Sequence, residues 1–64
     1  MKRPLKFFTN PHDSIEYIAR ASLSFAKDNT RKVSFTLRGI DIEVSPSSTV
    51  EEIIQEYKDK QDNS

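Results

Sequence analysis

The chain has no cysteine, no tryptophan, one glycine and one histidine in 64 residues. Without cysteine there can be no disulfide, no thiolate metal site and no thiol nucleophile. Nor is there any sign of an oxidising compartment. Gly39 alone cannot build a phosphate-cradling loop, which draws on several glycines. His12 has no second ligand or orienting partner near it in sequence. Metal and acid–base sites need convergent groups, so His12 reads as a solvated side chain. The serines lack a base with an orienting partner, the arrangement that nucleophilic catalysis requires. No apolar run approaches the ~18 residues of a membrane span. The basic start Met1-Lys2-Arg3 is not followed by the apolar core of a signal peptide. The expectation is a cytoplasmic protein with no cofactor, no metal, no catalytic residues and no membrane partner.

What is present between Lys32 and Tyr57 is strongly patterned. Val33-Ser34-Phe35-Thr36-Leu37 and Ile40-Asp41-Ile42-Glu43-Val44 each alternate apolar and polar residues. That period marks strands with one buried face. Arg38-Gly39 between them predicts a tight hairpin turn, since glycine accepts positive φ. Pairing Leu37 with Ile40, Phe35 with Ile42 and Val33 with Val44 places six apolar side chains on one face. A slip by one residue would set Leu37 against Asp41, so the register is well specified. Ser34, Thr36, Asp41 and Glu43 fall on the other face, which should be solvated, with helices on one side only.

Pro46 ends the second strand. Ser48 with Glu51, or Thr49 with Glu52, supplies a capping box. Val50, Ile53, Ile54 and Tyr57 then follow at i, i+3, i+4 and i+7, the stripe of a half-buried helix. From Asp59 onward no apolar residue remains, so the tail is expected to fray. Upstream, Asn10-Pro11-His12-Asp13 reads as a helix start, with Asn10 as cap or Asp13 with Glu16 as a competing cap. That helix is expected to reach about Lys27, with Asp28-Asn29-Thr30 breaking it. Its inward face would be Ile15, Ile18, Ala19, Ser22, Phe25 and Ala26. Such a stripe of small residues lets the helix lie close to a sheet, or lets two copies of the helix approach. Leu5-Lys6-Phe7-Phe8-Thr9 is a candidate third strand, with Pro4 tolerated at its start. A bare two-stranded hairpin is marginal and a third strand would support it.

The fold class expected is therefore α+β, a small (β)αββα domain. An antiparallel hairpin, with or without the N-terminal strand, carries two helices on one face. The chain forms one domain over 1–64, with residues 1–4 and 59–64 as flexible ends. So small a core makes dimerisation attractive, because an interface adds buried area without lengthening the chain.

Net charge is zero but unevenly placed. Residues 1–40 hold eight Lys/Arg and three Asp/Glu, a net of +5, and residues 41–64 hold two and seven, a net of −5. Folding either interleaves the halves or leaves a basic side and an acidic side, by which two copies could pair. Two aromatics fall out of register with the core. If Leu5 and Phe7 face inward, Phe8 faces outward. Tyr17 lies on the far side of its helix from Ile15, Ala19 and Ala26, near Asp13, Arg20, Ala21 and Ser24. Phe8, Tyr17 and Arg20 are the candidate protein-contact residues, since exposed aromatics beside arginine serve as interface anchors. Arg3, Lys6, Lys27, Arg31 and Lys32 are the candidate nucleic-acid contacts, should the aromatics act as stacking platforms over a basic groove. Asp41 with Glu43, and the hydroxyls of Ser47-Ser48-Thr49, are accounted for by surface pairing and capping.

The first functional expectation is a non-enzymatic protein-interaction module, self-associating, acting as a regulator or adaptor. The alternative is a nucleic-acid-binding module using the basic half, against which zero net charge counts. The hairpin followed by a capped helix also resembles the end of small toxin ribonucleases with a double-stranded-RNA-binding-domain-like fold. Those depend on a histidine beside a glycine- and serine-rich turn before the sheet. Asp28-Asn29-Thr30-Arg31-Lys32 stands there instead, so the family is not assigned.

Overall fold

Arg38 and Gly39, with φ of 52° and 81°, close the hairpin in a computed structural model that describes residues 3–62. Residues 1–2 and 63–64, the outermost parts of the expected flexible ends, lie outside the described residues. Positive φ at both central positions is what lets a two-residue turn follow the right-handed twist of its strands. The order of elements is β1 (Leu5–Phe7), α1 (Ile15–Asn29), β2 (Val33–Leu37), β3 (Ile40–Val44) and α2 (Val50–Asp62). This is a small α+β fold with a three-stranded mixed sheet in the order β1-β2-β3.

The hairpin register is the one that apolar alternation demands: Val33 opposite Val44, Phe35 opposite Ile42, Leu37 opposite Ile40. All of these except half-buried Ile40 are at most 1% exposed. β1 pairs with β2 in parallel, Leu5 beside Val33 and Phe7 beside Phe35. Parallel pairing follows from the helix between them, which carries the chain back to start β2 in the same direction as β1. Both helices pack on the apolar face. The opposite face, with Thr36, Asp41 and Glu43, is exposed.

α1 starts later than Asn10 or Asp13 would have it. Ser14 is the cap, its Oγ accepting from the Tyr17 amide at 3.2 Å. Asn10 and Asp13 spend their side chains inside their own turn. Asn10 Oδ1 accepts from the His12 amide, and Asp13 Oδ2 from the Asn10 amide. The helix also runs two residues past Lys27, to Asn29, and stops where Thr30 takes a left-handed φ of 51°. Ala19, Ser22 and Ala26 are fully buried within one copy, so the small-residue stripe serves close packing here. Ser22 Oγ donates back to the Ile18 carbonyl at 2.6 Å, which satisfies a hydroxyl in an apolar place.

Of the two possible boxes at α2, Thr49 with Glu52 forms. The Thr49 amide donates to Glu52 Oε1 and the Glu52 amide to Thr49 Oγ1, both at 3.2 Å. Ser48 instead closes the preceding turn with Ser45. The helix continues through Asp59 to Asp62, beyond its apolar stripe. Gln55 Nε2 bonds Asp59 Oδ1, and Lys60 Nζ reaches the Asp41 carbonyl at 2.8 Å. No helix among the described residues is long and apolar enough to cross a membrane.

The Tyr57 hydroxyl is buried without a hydrogen-bond partner among the described residues. Leaving such a group unpaired in the interior costs about 1–3 kcal/mol. Tyr57→Phe should therefore raise stability by about 1 kcal/mol in urea denaturation. Gly39→Ala should lower it by about 1 kcal/mol. A Cβ at Gly39 would meet no atom within 4 Å, so the cost lies in its φ alone.

Candidate interaction surface

β1 is an edge strand that the helices only partly cover. α1 packs mainly on β2, β3 and α2, and α2 on β3 and α1. The inward side chains of β1, Leu5 and Phe7, are consequently half-buried. Phe7 meets one ring from above: Phe25 lies 6.2 Å away, tilted by 48°. Tyr17, Ala21 and Phe25 recur at four-residue spacing and so share one stripe of α1. Ala21 and Phe25 are half-buried and Tyr17 is 60% exposed. Phe8, just past the end of β1, is 83% exposed. These are the two exposed large hydrophobic side chains among the described residues, and both lie where β1 leads into α1. Thr9 Oγ1 donates to the Thr36 carbonyl and the Arg38 guanidinium to the Pro11 carbonyl. Those bonds tie the connecting segment to β2 and to the hairpin turn.

Cations gather at the opposite end of β1. The Arg31 guanidinium donates to the Arg3 carbonyl at 2.6 Å. Arg3, Pro4, Arg31 and Lys32 line a shallow cleft of 210 Å³. Lys6 stands beside Ser34 on the open face of the sheet, and Lys32 pairs with Glu43 across it at 3.4 Å. Lys27 is not part of this group. With Arg20, Leu23, Ser24, Asp28 and Val50 it lines a separate groove of 320 Å³ between α1 and the start of α2. The structure thus gathers Arg3, Arg31 and Lys32, sets Lys6 alongside, and leaves Lys27 with Arg20. It leaves Phe8 exposed just past β1 and Tyr17 exposed in the first turn of α1, with Arg20 one turn on from Tyr17 and lining the groove toward α2.

Within the sheet the charge halves keep their order, β1 and β2 of the basic half beside β3 of the acidic half, while α1 packs on β2, β3 and α2. Residues 3–40 carry seven cations and three carboxylates, +4; residues 41–62 carry two and seven, −5. Of the two ion pairs among the described residues, Lys32–Glu43 joins the two halves and Lys60–Glu56 lies within the acidic half.

Asp41 and the serines between β3 and α2 have local partners. Asp41 accepts from the Thr36 hydroxyl, and Ser45, Ser47 and Ser48 bond to one another. His12 is exposed. Among the described residues no three His, Asp or Glu side chains converge as a metal-holding group. Sequence reading missed two features here. Phe7 and Phe25 count as core by periodicity, yet stay half-covered because β1 lies at the edge. Lys60 gave no signal that it would reach the backbone of β3.

Compared with protein-family models, curated proteins and solved structures, the chain matches none.

If Phe8 and Tyr17 contribute surface and no packing, Phe8→Ser and Tyr17→Ser should each leave unfolding free energy within about 0.5 kcal/mol of the parent. Phe35→Ala, in the same assay, should cost about 3–5 kcal/mol and leave little folded protein.

Proposed function

We propose that the chain is a small, non-enzymatic protein-interaction module that self-associates and acts as a regulator or adaptor in the cytoplasm. The observation that carries this reading is the flank of β1, with an unpaired strand edge, half-covered Leu5 and Phe7, and exposed Phe8 at its end, together with exposed Tyr17 in the first turn of α1. Unpaired edges accept strands from partners, and exposed aromatics in such a place supply most of the contact energy. Sedimentation equilibrium tests it. Average mass should rise with concentration through the micromolar range, and Phe8→Ser should weaken association by at least about tenfold. A strictly monomeric chain at every concentration, with no change on Phe8→Ser, would count against it.

The second reading, nucleic-acid binding, is supported by Arg3, Arg31 and Lys32 around one cleft with Lys6 alongside. Against it stand the pairing of Lys32 with Glu43, the separation of Lys27 and zero net charge. Phosphate contacts supply most of such affinity. Labelled RNA or DNA titrated at low salt should show no shift at tens of micromolar protein if the first reading holds.

A further inference from the structure

Resting on the self-association proposed above, we infer its geometry. The outer edge of β3 in one copy adds antiparallel to the outer edge of β1 in the next, with Lys6 opposite Glu43 of the second copy.

The backbone defines which groups are free. The Leu5 amide donates to the Lys32 carbonyl at 2.9 Å. In a parallel strand alternate residues bond the same neighbour, so Leu5 and Phe7 turn toward β2 and Lys6 presents its N–H and C=O outward. In β3 the residues opposite Leu37, Phe35 and Val33 bond β2, beginning with the pair that flanks the two-residue turn. The outward residues are then Asp41 and Glu43. Lys60 Nζ holds the Asp41 carbonyl at 2.8 Å, which leaves the backbone of Glu43 as the unobstructed place on that edge, its carboxylate facing Lys32 at 3.4 Å on the open face. One outward residue on β1 and one on β3 determine the register. Lys6 meets Glu43 of the second copy, Phe7 falls opposite its Ile42, and Leu5 opposite its Val44.

The side chains agree with that register. β3 reads Ile40-Asp41-Ile42-Glu43-Val44, apolar toward the helices and acidic toward the open face. β1 offers apolar Leu5 and Phe7 on the first face and Lys6 on the second. The charges on the two edge strands are complementary in the same sense, Lys6 on β1 and Asp41 with Glu43 on β3. Like-on-like pairings fail by the same chemistry. Joining β1 to β1 sets Lys6 against Lys6, and joining β3 to β3 sets the carboxylates of Asp41 and Glu43 against their copies; like charges directly opposite are destabilising. The contact is heterologous, so it propagates as a ring or an open chain. With only Leu5–Phe7 paired it is weak, and it is sensitive to salt.

Charge exchange tests the pairing. Lys6→Glu sets carboxylate against carboxylate at the paired position, and Glu43→Lys sets ammonium against ammonium; both positions are exposed. Each variant alone should sediment as a monomer where the parent associates, and a one-to-one mixture should recover association. Hydrogen exchange on the parent chain gives a second readout that needs no variant: the Lys6 and Glu43 amides should gain protection, at least about tenfold, as concentration rises. A variant that associates alone as well as the parent, a mixture that stays monomeric, or a rise in mass without protection of those amides would overturn the pairing and leave self-association standing. A parent chain that stays monomeric throughout would overturn both.

Discussion

The pairing of Phe35 with Ile42 is the contact on which the rest of the molecule depends. β2 is the one strand with a neighbour on each side, and its Val33, Phe35 and Leu37 supply the centre of the apolar face at no more than 1% exposure. Shifting β2 against β3 by one residue would turn one of the two apolar sets into water. It would also carry Lys32 away from Glu43 and move the outward amides of β3. The turn enforces the register from one end, because two residues with positive φ leave no slack. Ile53 and Tyr57 of α2 enforce it from the other, since both are buried in the cluster that holds Ile42 and Val44.

So short a chain makes two helices, and two helices do not cover three strands equally. α1 lies close to the sheet because Ala19, Ser22 and Ala26 present almost no bulk there, and this closeness draws it over β2 and β3. β1 is left with the flank of α1, where Phe25 meets Phe7. The half-covered flank is thus a consequence of how the core is packed. A larger residue at Ala19 or Ala26 would push α1 outward, at a cost in strain that cores of this density bear poorly.

The hairpin and α2 were legible in the sequence because each is specified by independent signals that agree: alternation with a glycine turn, and a helical stripe with a capping box. α1 was legible in its stripe but not at its start. Asn10, Asp13 and Ser14 are all good caps by residue type. The choice fell to Ser14 because Asn10 and Asp13 bond within their own turn, which no propensity reveals. The outward position of Phe8 could be read from alternation after Phe7. That Phe7 and Phe25 would be only half-covered could not, since it depends on β1 being an edge, and strand order is a property of the whole fold. The reach of Lys60 to Asp41 was hidden for the same reason: it joins residues nineteen apart through the angle at which α2 returns across β3.

Topology also decides what becomes of the uneven charge. A block of cations followed by a block of carboxylates would cancel locally if the strands alternated between halves. Here sheet order equals chain order, so within the sheet the basic block ends on the β1 edge and the acidic block on the β3 edge. Zero net charge removes any long-range pull on an anionic polymer, and at physiological salt fields fade within about 8 Å. What survives is the charge at the rims, effective only on contact. A rim that is basic, apolar and hydrogen-bond-ready on one side of the molecule, and acidic, apolar and hydrogen-bond-ready on the other, favours strand-to-strand contact over diffuse electrostatic attraction. The same short range makes Lys6 and Glu43 matter more than the cations on the helices. They sit at residues whose backbone groups face outward, so their charge acts where a strand would join.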